Sequence, residues 1–218
     1  MTFIIVAATV LAGGSGYLGA WALRDEYYLG ADHQRPVWTT NVAIALRAAV
    51  LTAAGTWWMT HTIDPPDLWI RLAGMLPLFI ATPILTSTDF TKHLLPNKII
   101  AATVITQIPL TVLALVLTQQ TPHPLLTALG AALAYFATVF LLRLLPSGIG
   151  AGDLKLALPL GWALGLAGWE ALILGIILGW VLGGVFALGL LIFTKAKGKN
   201  MMAMGPWLLY GTLIAGVL

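Results

Sequence analysis

Apolar residues in this chain come in long, nearly unbroken blocks, not at alternating or amphipathic intervals. Blocks of about 20 residues are long enough for a helix to cross a hydrocarbon core of roughly 30 Å. Eight such helices are predicted: Thr2 to Leu23, Val42 to Met59, Leu68 to Leu85, Ile99 to Leu117, Leu125 to Leu145, Leu154 to Ala167, Ala171 to Phe193 and Ala203 to Leu218. The sixth and eighth are short. A membrane β-barrel would need alternating strands of about ten residues, and the Leu, Ala, Ile and Gly blocks do not alternate.

Composition fixes the solvent. Of the 218 residues 59% are hydrophobic and 9% charged, far below the charge of about a quarter that a soluble domain carries. The predicted fold is therefore all-α, a polytopic membrane bundle of about eight transmembrane helices forming a single integral-membrane domain over residues 1–218. No cytoplasmic domain interrupts it. The first block has no Lys or Arg before Arg24 and is too long for a signal-peptide core, so it is expected to remain as a helix. No cysteine is present, which removes disulfides, thiol nucleophiles and Cys-ligated metals. The net charge of +3 carries topological information and does not point to nucleic acid. Arg24, Arg35, Arg47, Lys92, Lys98, Arg143, Lys155, Lys195, Lys197 and Lys199 fall on one side, and only Arg71 on the other. Cytoplasmic loops are the Lys- and Arg-rich ones. Both termini are thus expected outside a cell membrane, with the odd-numbered loops in the cytoplasm.

Scarcity of charge makes the acids worth sorting, because an ionised Asp deep in a membrane costs about 2.5–3.5 kcal/mol on insertion scales. Asp25, Glu26, Asp32, Asp64, Asp67 and Glu170 fall in loops and turns. Asp89 follows the third apolar block, within Thr86-Ser87-Thr88-Asp89-Phe90-Thr91-Lys92-His93-Leu94-Leu95-Pro96-Asn97, and Asp153 opens the sixth after Gly150-Ala151-Gly152. The topology places both at the cytoplasmic ends of their helices. If they approach each other, mutual repulsion leaves one protonated and one ionised, with coupled titration. Such a pair suits peptide hydrolysis: the ionised member deprotonates a water and the protonated one donates to the substrate carbonyl. Gly150 and Gly152 would allow positive φ and close approach of a peptide, and Asp153 would cap its helix.

The remaining motifs read as packing. Gly13-Gly14-Ser15-Gly16 has the serine-protease-like Gly-x-Ser-Gly pattern, but His33, His61, His93 and His123 all lie in loops or at helix ends. Gly175, Gly179 and Gly183 form one small-residue row, and Gly161 with Gly165 another, as helix packing in membranes favours. Lys155 falls on a different helical face from Asp153 and is expected to snorkel to the interface. No metal site and no cofactor are predicted.

At Asp89 with Pro96-Asn97, and at Gly150-Ala151-Gly152-Asp153-Leu154-Lys155-Leu156 followed by Gly161-Trp162-Ala163-Leu164-Gly165, the chain resembles the type IV prepilin peptidases and their preflagellin-peptidase relatives. Met204-Gly205-Pro206-Trp207-Leu208 is similar to the family's final helix. The resemblance covers about Leu68 to Leu218 and is weak before that. It implies a Gly-x-Gly-Asp aspartic endopeptidase with Asp89 and Asp153 as catalytic residues, and Gly150, Gly152, Lys155, Pro96 and Asn97 as motif or substrate-approach positions. It also implies membrane-anchored, prepilin-like substrates cut behind a short basic leader. Longer members carry a cytoplasmic loop domain, often with paired CxxC motifs, and N-methylate the product. The short Arg24 to Asn41 loop and the absence of Cys argue against methyl transfer here. The alternative from another class is a small transporter or channel using the two Asp as a proton or ion site. That reading expects mid-membrane acids and an internal repeat, and no convincing repeat is present.

Overall fold

The computed structural model describes residues 2–22, 40–145, 149–193 and 203–218. Among these it contains eight helices: α1 (Thr2–Ala22), α2 (Asn41–Thr62), α3 (Pro65–Lys92), α4 (Asn97–Thr118), α5 (His123–Leu144), α6 (Ala151–Ala167), α7 (Trp169–Phe193) and α8 (Gly205–Val217). The order matches the hydropathy blocks. Six helices are long and apolar enough to cross a membrane, while α6 and α8 have 17 and 13 residues. The fold is a polytopic helical bundle. The loop charges of the first and seventh connections, and Ser147 with Gly148, lie outside the described residues.

Helix α3 is the axis of the bundle. Its 28 residues are buried almost throughout from Leu68 to Asp89, and α1, α2, α4, α6 and α8 all pack on it. The boundary expected near Leu85 is wrong: α3 runs on to Lys92 and takes Asp89 into its last turns. The reason is local. Thr82, Thr86, Ser87, Thr88 and Thr91 each turn their hydroxyl back onto a carbonyl of the preceding turn, at 2.6–3.2 Å. A run that looks polar in sequence thereby satisfies itself inside the helix. His93, with φ 51°, then ends α3 in the left-handed conformation and donates its N–H to the Asp89 carbonyl.

Small residues set how closely the other helices approach. A Cβ on Gly161 would lie 2.6 Å from the Ala131 carbonyl oxygen and 2.6 Å from Ala132 Cα; one on Gly165 would lie 2.6 Å from Ala128 Cα. Helices α5 and α6 are therefore in backbone contact. Gly179 meets Leu208 and Gly211 in the same way, which joins α7 to α8, and Gly13 and Gly16 seat α1 on Ala45, Ala48 and Ala49 of α2. The glycine rows act as packing surfaces; of Gly13-Gly14-Ser15-Gly16, Gly13 and Gly16 meet α2, while Gly14 and Ser15 are exposed.

One polar side chain ties three helices together at mid-depth. Gln107 on α4, fully buried, donates through Nε2 to the Gly74 carbonyl of α3 at 2.8 Å and to the Pro159 carbonyl of α6 at 3.1 Å. Beside it Trp162 Nε1 donates to Thr111 Oγ1 at 3.2 Å. Interhelical hydrogen bonds of this kind add to apolar packing inside a membrane. An apolar cavity of about 380 Å³ opens over the first half of α3, lined by Trp69, Leu72, Leu76, Leu110 and Leu113.

Candidate active site

The two sorted acids come together at one end of the bundle. Asp89 arrives on the last turns of α3 and Asp153 on the first turn of α6; both are buried, at 6% exposure. Leu95 touches the glycine beside each of them, Gly152 next to Asp153 and Gly205 against Asp89. The resemblance to an aspartic pair thus acquires a spatial basis that the separation of 64 positions in the chain could not supply.

Each carboxylate is held by a glycine N–H. Gly205 donates its backbone N–H to Asp89 Oδ2 at 3.1 Å. Gly205 opens α8, whose N-cap, Met204, offers no side-chain cap, and Pro206 next to it has no N–H to give. Asp89 therefore caps α8 from a different helix, where a helix N-terminus favours negative charge. Gly150 donates its N–H to Asp153 Oδ2, also at 3.1 Å. Here the expectation needs correction. Gly150, not Asp153, is the N-cap of α6; Asp153 is the third helical residue and reaches back to the cap's N–H, the acidic half of a capping box.

The glycines also differ from expectation. Gly150 has φ −72°, an ordinary extended conformation, so its contribution is room and not left-handed backbone. A Cβ there would stand 3.3 Å from Asp153 Oδ2, and one on Gly205 would stand 2.9 Å from Asp89 Oδ2. Gly152 faces Leu95, whose Cβ lies 3.0 Å from where a Gly152 Cβ would be.

The other motif residues gather at the same end. Pro96 is buried and caps the start of α4, and Asn97 is its first residue. Lys155, exposed on α6, donates through Nζ to Asn97 Oδ1 at 3.0 Å. Lys155 therefore latches the first turn of α6 to the first residue of α4. An aromatic cluster adjoins Asp89: Phe90 meets Phe186 of α7 at 6.4 Å and Trp207 of α8 at 6.1 Å between ring centroids, and Phe186 meets Trp207 at 4.6 Å. Among the described residues no group of three or more His, Cys, Asp or Glu could hold a metal ion.

Two residues of this end were not singled out from sequence for the site. Gly205 could have been found, since a Gly-Pro pair opening a helix leaves one N–H in need of an acceptor. Leu95 carried no signal, because one more leucine in an apolar chain is indistinguishable until its neighbours are known.

No curated protein and no solved structure matches the chain. The model of the type IV leader peptidase family matches residues 76–188, a span that contains both Asp89 and Asp153. That span is more than half of the chain, and with the acidic pair at one end of a membrane bundle it identifies the protein as a member of the type IV leader peptidase family.

Proposed function

We propose that the protein is a membrane aspartic endopeptidase that removes the short basic leader from type IV prepilin-like precursors at the cytoplasmic membrane face. The observation that carries this reading is the meeting of Asp89 and Asp153, two buried acids from different helices, each with one oxygen anchored to a glycine N–H. Like charges this close favour a shared proton. The ionised carboxylate takes a proton from water, whose oxygen attacks the scissile carbonyl carbon. The protonated partner donates to the carbonyl oxygen. On collapse of the tetrahedral diol one of its hydroxyls returns a proton to the ionised carboxylate as the C=O re-forms and the C–N bond breaks; the leaving amine takes the proton of the other carboxyl, and the dyad is again left with one proton.

Two features support this over ion translocation. Asp89 is in the last turns of α3 and Asp153 in the first turn of α6, whereas an ion pathway calls for acids near mid-depth. Among the described residues Arg47, Lys92, Lys98, Arg143 and Lys155 lie toward the same end, which supports a cytoplasmic site, since a leader with its own positive charges stays on that side. Coexpression with candidate precursors tests the proposal. Wild type should release the mature form, and Asp89→Asn and Asp153→Asn should each lower processing by roughly 10²–10⁴-fold. Intact processing in either variant would refute the dyad.

A further inference from the structure

The space between the two glycines beside the acidic pair is filled by the protein itself. Leu95 belongs to the short connection between α3 and α4, which begins at the left-handed His93 and ends at the buried Pro96. Its side chain is wedged between the two glycines beside the acids. From the position a Gly152 Cβ would occupy, Leu95 Cβ, Cδ1 and Cγ are 3.0, 3.1 and 3.3 Å away; from that of a Gly205 Cβ, Cδ1 and Cδ2 are both 3.1 Å away. Gly152 precedes Asp153, and the Gly205 N–H holds Asp89. A single leucine thus spans the gap from the turn that carries Asp153 to the glycine that holds Asp89.

The surroundings suit a peptide main chain better than a side chain. Gly152 and Gly205 contribute no Cβ, so the slot between them has backbone walls. Leu95 is only half-buried, while its neighbours His93 and Leu94 are exposed. The packing to be given up is therefore modest. Pro96 and Asn97 anchor the α4 side, Asn97 through Lys155, so the part left to move is His93 to Leu95. His93 is one of two non-glycine residues with positive φ among those described, and a left-handed conformation in such a residue costs about 1–2 kcal/mol. That residue is where the connection turns away from α3.

We infer that Leu95 is a displaceable plug: it occupies the slot between Gly152 and Gly205 in the empty enzyme, and the scissile peptide must expel it to reach Asp89 and Asp153. The inference rests on the peptidase reading. It makes Leu95 a gating residue that does no chemistry, and the apparent affinity for substrate is reduced by the fraction of molecules with the plug in place.

The test is a size series, Leu95→Ala, Leu95→Val and Leu95→Trp, in the purified full-length protein, with a full-length precursor that wild type cleaves. The expected result is KM rising with side-chain volume, about three- to tenfold below wild type for Leu95→Ala and a similar factor above it for Leu95→Trp, with kcat changed less. Thermal unfolding is measured alongside. A plug predicts that Leu95→Ala melts lower yet cleaves better, opposite signs that a purely structural leucine cannot give. A flat series, a loss of activity in Leu95→Ala that parallels its loss of stability, or failure of both small variants to fold would overturn the inference while leaving the peptidase reading standing. Failure of wild type to cleave any precursor would overturn both.

Discussion

Gly205 shows how much one missing methyl group can matter. The residue gives its N–H to Asp89, and a Cβ added to it would stand 2.9 Å from the same carboxylate oxygen and 3.1 Å from two Leu95 carbons. Gly205→Ala must therefore push Asp89, Leu95 or α8 aside. Activity is expected to fall at least tenfold, while far-ultraviolet circular dichroism stays helical. Unchanged turnover would mean that the Asp89 anchor is dispensable. Lys155 belongs to the same scale. Its bond to Asn97 is exposed, and exposed polar pairs stabilise by about 0–1 kcal/mol, so Lys155→Met should leave the melting temperature nearly unchanged. Any effect on cleavage would then come from the charge at the rim or from the position of α4.

At the scale of the elements, helix-to-helix distances are set by glycine rows, and the rows make discriminating predictions. Gly161→Ala drives a methyl into the Ala131 carbonyl and Ala132 Cα, both 2.6 Å away and both backbone. Neither can yield without moving α5. Overpacking of this kind costs about 1–3 kcal/mol. Gly184 has nothing within 4 Å of an added Cβ, so Gly184→Ala should be neutral or stabilise by roughly 0.5–1 kcal/mol through helix propensity. Melting curves in one detergent compare the two directly. Gln107 is the polar counterpart. Gln107→Leu forfeits two bonds to main-chain carbonyls of α3 and α6, with an expected loss of about 0.6–1.7 kcal/mol by analogy with measured interhelical bonds in membranes.

For the molecule as a whole, the order and type of the helices were legible from sequence because lipid demands long apolar runs, and such runs leave little ambiguity. The end of α3 was not legible. Hydropathy counts Thr86, Ser87 and Thr88 as polar, whereas inside the helix each hydroxyl is closed onto its own backbone. Asp89 and Asp153 were legible as candidates because the chain carries only 8 acids. Their anchors were legible in unequal measure. Gly150 is three residues from its carboxylate, within reach of local capping rules, whereas Gly205 lies 116 residues from Asp89 and meets it only through the packing of α8 on α3.

The burial of those two acids side by side has a consequence for the melting of the whole protein. A pair of carboxyls withdrawn from water and set against each other opposes folding, and the glycine N–H groups offset only part of that cost. An asparagine at either place keeps an oxygen to accept the glycine N–H but brings no charge. Asp89→Asn and Asp153→Asn are therefore expected to be the more durable forms of this protein, with each kcal/mol regained raising the melting temperature by about 2–4 °C. The same exchange of durability for activity recurs wherever a reactive group is kept in an unfavourable place. The forms best suited to holding an uncut precursor for structural study would then be those that have lost the chemistry.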